Sequence, residues 1–195
     1  RIRATRGYLT RLKKSYAQLQ EEYISKIETY AHPRISIHTN SQKRREMIEK
    51  LLTKVPSDHT KQLESIKDSD QATLFVSYTT DTKVISLNPH LSPQHTLYYA
   101  IGHHVYHYII SDWERNVISK IFNEHKQAIS TLSLVAIQSK ETFFAESYKL
   151  FLNKKDYLHH FSPHINAFFE KRLFVGYIED NTVTKTNGYI ALQRT

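Results

Sequence analysis

Five prolines, at positions 33, 56, 89, 93 and 163, set points where the helices of this chain must start or stop. Proline lacks a backbone N–H and pushes the residue before it out of the helical region, so helices end before it or start on it. Between these marks apolar residues recur at steps of three and four. Leu9, Leu12, Tyr16, Leu19, Tyr23, Ile27 and Tyr30 predict one amphipathic helix over residues 6–30, ended by His32-Pro33. Its basic start (Arg6, Arg11, Lys13, Lys14) also suits an arm for nucleic acid or lipid, but the apolar period favours packing on the domain. Residues 34–38 alternate as a short strand. Asn40 or Ser41 caps a second helix that turns Met47, Ile48, Leu51 and Leu52 inward, and Pro56 to Asp58 break it. A short helix is expected near residues 61–66.

Further on, residues 73–79 and 83–87 are β-branched and apolar and flank Thr80-Asp81-Thr82, which predicts a hairpin. After Asn88-Pro89 a long helix runs from about Ser92 to Ile110, with Ser92 or Pro93 at its start. More helices are expected over residues 113–126, over 142–153 with an aromatic stripe of Phe143, Phe144, Tyr148 and Phe151, and from Pro163 to Leu173. Residues 127–139 carry no clear pattern. Asn187-Gly188, between residues 173–178 and 182–191, predicts a C-terminal hairpin, because both positions tolerate positive φ. The expected class is α+β: a mainly helical domain with a small antiparallel sheet and a C-terminal hairpin. Residues 1–40 would pack a helix and strand on a core domain of residues 41–172, and residues 173–195 would extend it.

Composition narrows the chemistry. The 195 residues contain no cysteine, which excludes disulfides, cysteine zinc ligands and a cysteine nucleophile. No run of apolar residues is long enough to span a membrane. The chain opens on Arg1-Ile2-Arg3 without an initiator Met or an apolar signal core, which points to a mature form or a fragment. A formal charge of +8 favours an acidic partner: nucleic acid, anionic lipid or protein. Twelve histidines make acid sensitivity an expectation. A Gly-rich phosphate loop and a Gly-x-Ser-x-Gly elbow are both absent from the sequence.

One constellation carries a chemical argument. The segment from Leu97 through Tyr98-Tyr99-Ala100-Ile101-Gly102 to His103-His104-Val105-Tyr106-His107 lies on the long helix. About forty residues later Glu141-Thr142-Phe143-Phe144-Ala145-Glu146-Ser147-Tyr148 lies on another. Zinc hydrolases of the His-Glu-x-x-His kind use this layout. Two histidines at i and i+4 share a helix face, the Glu between them acts as base, and a third ligand comes from a second helix.

On Tyr98 to Gly102, on Phe143 to Ser147 and on the spacing between them, the chain resembles the anthrax lethal factor-type domain family. Leu158-His159-His160-Phe161-Ser162-Pro163, followed by Phe168 and Phe169, is a weaker match. The resemblance covers residues 70–172 and implies a zincin-like fold in a secreted, toxin-type protein. The family includes the protease domain of lethal factor and the secreted Pro-Pro endopeptidases. It also includes the degenerate N-terminal domains of lethal and edema factor, which dock on the protective-antigen translocation pore. The Tyr-Tyr-x-Ile-Gly match points to this docking branch.

Carried over residue by residue, the resemblance implies a dismantled catalytic set. Tyr99 stands at the first zinc histidine, Ala100 at the general base, Thr142 at the third ligand and Val135 at a transition-state tyrosine. His103 keeps the second histidine, and Glu146 keeps a supporting carboxylate. Zinc catalysis needs three protein ligands and a proton acceptor, so one ligand without a base implies an inactive enzyme with no cofactor. The implied partner is a protein: a protective-antigen-like pore or another toxin component. The implied contact face holds Leu150, Phe151, His160 and Phe161, with Lys154 and Lys155 as anchors for an acidic partner. The runner-up is an active zinc metallopeptidase with a shifted site of His103, His107 and Glu146. A nucleic-acid-binding or scaffolding domain ranks last, because Glu21, Glu22, Asp68 and Asp70 interrupt the basic stretches.

Overall fold

A computed structural model describes residues 13–16, 18–19, 35–69, 77–79, 83–131 and 133–175. Residues 13–16 and 18–19 are helical, as the apolar period predicts. The rest of that first helix and the C-terminal hairpin about Asn187-Gly188 lie outside the described residues.

The described chain is mainly helical with one small sheet. Strand β1 (Ser36–His38) leads into helix α1 (Gln42–Leu52), which buries Ile48, Leu51 and Leu52 as its pattern requires. Met47, expected inward, is exposed. Strand β2 (Ser65–Asp68) follows, then β3 (Ser77–Thr79) and β4 (Val84–Leu87), in the sheet order β1-β2-β4-β3.

The sheet corrects two expectations. It is not an antiparallel sheet as a whole: β1, β2 and β4 run parallel, and only the edge strand β3 pairs antiparallel, with β4. And residues 61–66 do not form a helix. A 3-10 turn at Ser57–Thr60 ends there, and Ser65–Asp68 becomes the second strand of the sheet. The register explains it: Ile37, Ile66 and Ile85 align across the three parallel strands, and Ile66 and Ile85 are fully buried. One buried Ile between two strands outweighs the local preference of a four-residue segment.

Helix α2 starts on Pro93, continues to His104, and widens into a π-helical turn over Val105–Ile109. Helix α3 (Asp112–Ser130), a 3-10 turn (Leu134–Ile137) and helix α4 (Lys140–Asn153) follow. Two short helices close the described chain: α5 (Lys155–Phe161), and α6 (Pro163–Phe168), which widens into a second π turn at Phe169–Leu173. Among the described residues no helix is long and apolar enough to cross a membrane.

Two devices position the long helices. Arg44 on α1 donates from Nε to Asp68 Oδ1 at 2.7 Å and from its terminal nitrogens to the carbonyls of Leu91 (2.7 Å) and Asn88 (2.9 Å). One guanidinium thus ties α1, the end of β2 and the loop that launches α2. The second device is the crossing of α2 and α4. A Cβ placed on Gly102 would lie 2.8 Å from Ala145 Cα and 3.1 Å from Tyr148 Cβ, so only glycine lets the backbones meet there. The two segments that carry the family resemblance touch at this point.

The aromatic stripe of α4 is core, with Phe143, Phe144 and Tyr148 fully buried and joined by Phe169 and Phe174. His59 is buried among them. Its Nδ1 lies 2.8 Å from Tyr148 Oη, its ring also hydrogen-bonds the Leu173 backbone, and its edge meets Phe174 at 4.9 Å. Burial lowers its pKa from the ordinary 6.5 to about 4, against the raising effect of the Leu173 bond.

Two predictions follow from these contacts. Gly102→Ala is expected to destabilise the fold by about 1–3 kcal/mol through overpacking, less up to ~1 kcal/mol regained in helix propensity; a lowered Tm in thermal melts checks it. The histidine sets a pH dependence. Unfolded His59 binds a proton near pH 6.5 and the folded one only near pH 4, so stability is full above the first value and lost as pH falls toward the second. The loss is on the order of 3 kcal/mol, and a Tm that falls over this window in the parent, with a shallower fall in His59→Gln, is the expected result.

Candidate functional site

The crossing at Gly102 makes α2 and α4 antiparallel neighbours along one seam. At one end Tyr99 faces Glu146 and Lys149; in the middle Gly102 meets Ala145; at the other end His107 meets Glu141. Tyr99, His103 and His107 form a row at steps of four, the spacing that places side chains on one helix face.

At the first end a cleft of about 440 Å³ is lined by Leu91, His95, Thr96, Tyr99, Val135, Gln138, Glu146 and Lys149. Three positions that the resemblance assigned to catalysis or its support, Tyr99, Val135 and Glu146, therefore do converge. Their chemistry is not that of a metal site. Lys149 Nζ pairs with the buried Glu146 carboxylate and lies 5.8 Å from the Tyr99 ring. An ammonium supplies the positive charge beside this carboxylate. Burial, and next the negative charge of Glu146, push the Tyr99 hydroxyl up to about 12, so it remains a neutral phenol at physiological pH. Thr96 Oγ1, on the cleft wall, is buried without a hydrogen-bond partner among the described residues.

Two further positions that the resemblance assigns have structural roles. Ala100 is fully buried in the hydrophobic core. Thr142 closes the N-terminal capping box of α4: its N–H donates to Ser139 Oγ at 3.1 Å, and its Oγ1 accepts from the Ser139 N–H at 3.0 Å. The hydroxyl that stands at the third-ligand position thus serves the helix start.

At the far end the seam gathers a different group. The ligand atoms of His103, His107 and Glu141 lie within 4.8 Å of one another. The two imidazoles stack with centroids 6.5 Å apart and planes 15° from parallel, and His107 Nε2 lies 3.5 Å from Glu141 Oε2. Burial, and next the neighbouring His107, lower the His103 pKa to about 4, so its ring is neutral at pH 7. The carboxylate that faces this pair is Glu141, where the sequence pointed to Glu146. The signal for Glu141 was available: it lies one residue before the capping threonine, in the first turn of α4.

The expected contact face is brought together only in part. Phe151 belongs to the core, covered by Phe169 and Phe174, and Leu150 is half-buried against that core. Lys155 is held internally, with Nζ 2.8 Å from Glu170 Oε1 and 5.3 Å from the Phe151 ring. The surface itself offers Lys154, lying 5.4 Å from the exposed Tyr157 ring, together with His160 against the half-buried Phe161. Tyr157 was not expected there; its place between Lys154 and His160 on one short helix was the only sequence signal.

The buried ion pair is testable. Lys149→Met leaves Glu146 charged and uncompensated, and is expected to cost about 3 kcal/mol in urea unfolding. Glu146→Gln combined with Lys149→Met is expected to recover most of that loss, because no unpaired charge remains. Comparison with family models, with curated proteins and with solved structures finds no match to this chain.

Proposed function

We propose that this chain is a catalytically inactive, metalloprotease-derived domain that acts by binding a protein. The observation that carries the reading is the fate of the inherited positions. Tyr99 and Val135 line a cleft whose carboxylate is held by Lys149, Ala100 sits in the core, and Thr142 caps α4. Zinc at this place would have one histidine, His103, and no base to take a proton from bound water. The accompanying fold reading is zincin-like, supported by a small sheet followed by two antiparallel helices that bear the two motifs.

The resemblance makes the partner a protective-antigen-like pore or another component of a secreted toxin. The face that supports docking holds Lys154, Tyr157, His160 and Phe161 at and on α5. It is cationic and aromatic, suited to an acidic groove with apolar floor. An active zinc metallopeptidase is the second reading, favoured only by the cluster at the other end of the seam.

The experiment pairs two assays on the purified chain. With zinc supplied, a peptide library rich in proline is expected to show no cleavage above buffer. On a biosensor carrying a protective-antigen-type pore, saturable binding is expected, and Lys154→Glu slows association several-fold at low salt with the Tm unchanged. Cleavage abolished by a chelator, or an on-rate indifferent to Lys154→Glu, sinks the reading.

A further inference from the structure

We propose that His103, His107 and Glu141 form a divalent transition-metal site, suited best to zinc, that shares only His103 with the positions the resemblance assigns to a catalytic metal. This goes beyond the protein-binding reading and does not rest on it.

The donors fit the ion. Two imidazoles and one carboxylate make the nitrogen and oxygen set that zinc takes at tetrahedral sites, with a fourth position left open. Calcium and magnesium ask for oxygen ligands throughout. For bonds of ~2.1 Å, donors around a tetrahedral zinc stand about 3.4 Å apart. The three ligand atoms already lie within 4.8 Å of one another, and the His107–Glu141 pair is at 3.5 Å. Rotation about side-chain torsions closes the widest gap.

The backbones that carry these side chains are held. Gly102 fixes the spacing of α2 from α4 one residue before His103. Arg115 on α3 donates to the carbonyls of Tyr106 and His107, both at 3.0 Å, and so ties the π turn that bears His107. That turn matters to the row. A wider turn advances less around the axis per residue, so His107 stacks nearly over His103, with ring planes 15° apart. His103 makes no hydrogen bond among the described residues, which leaves its donor nitrogen available. All three side chains are half-buried, reachable from solvent yet shielded enough to bind. Arg115, which holds the His107 carbonyl, is itself paired with Asp112.

The test is a titration of the full chain with cobalt(II), read by visible absorption, and then displacement by zinc. Saturation at about one ion per chain is expected. His107→Ala and Glu141→Gln are each expected to weaken binding by about tenfold or more, with melting curves confirming that these surface variants fold. Glu146→Gln and His125→Ala are expected to leave it unchanged; His125 is the control because its ring lies 4.7 Å from that of His164, a rival histidine pair. The proposal is overturned by no saturable binding up to ~100 µM metal, an affinity too weak for a built site. It is equally overturned by binding that survives His107→Ala with Glu141→Gln, or by binding that follows His125 or Glu146. Pore docking and peptide cleavage are separate readouts, so failure of the protein-binding reading leaves these results interpretable.

Discussion

The contact of Gly102 with Ala145 is the constraint on which the rest of the seam depends. A side chain at 102 would meet backbone, which cannot swing aside as a flexible side-chain tip does. With glycine there, α2 and α4 approach closely enough for residues on either side of the crossing to touch in pairs. Tyr99 reaches Lys149 and Glu146 at one end, and His107 reaches Glu141 at the other. Without that approach the Glu146–Lys149 pair, made within α4, would lose the cover of Tyr99, and Glu141 would no longer meet the two histidines of α2.

The seam has opposite chemistry at its two ends. Where the resemblance calls for a metal, the protein places an ammonium, a carboxylate and a neutral phenol, a set that is internally satisfied and leaves an apolar-walled cleft. At the other end, where the resemblance keeps only His103, two imidazoles and a carboxylate come together. A charge-neutral buried pair costs desolvation that its mutual attraction offsets only with good geometry. Glu146 is thus held by Lys149 at the Tyr99 end of the seam.

Buried neutral histidines also stand away from the seam. His59 joins the 3-10 turn at Ser57–Thr60 to Tyr148 on α4 and to the Leu173 backbone, and it does so as a neutral ring in an aromatic setting. His104 is similarly buried, with Nε2 2.8 Å from the Lys61 carbonyl and its pKa lowered first by burial. Protonating either costs the energy of a cation away from water, so acid loosens contacts between the sheet side and the helical side of the domain. The count of twelve histidines raised the expectation of acid sensitivity; burial singles out which rings would be costly to protonate.

By itself the sequence determined the longer helices. Apolar steps of three and four, prolines at 93 and 163 and the aromatic stripe of α4 encode helix positions and buried faces locally, because the 3.6-residue turn projects sequence spacing directly onto a surface. The resemblance named Tyr99, Val135 and Glu146 together, and all three line one cleft. Tertiary structure alone decided the strand order, because a three- or four-residue strand carries too few side chains to declare its neighbours, and Ile66 became strand only by lying between Ile37 and Ile85. It also decided that Phe151 is core and that Glu141 meets His107. Each of these depends on which atoms of distant segments come within a few ångströms, a quantity that local periodicity does not contain.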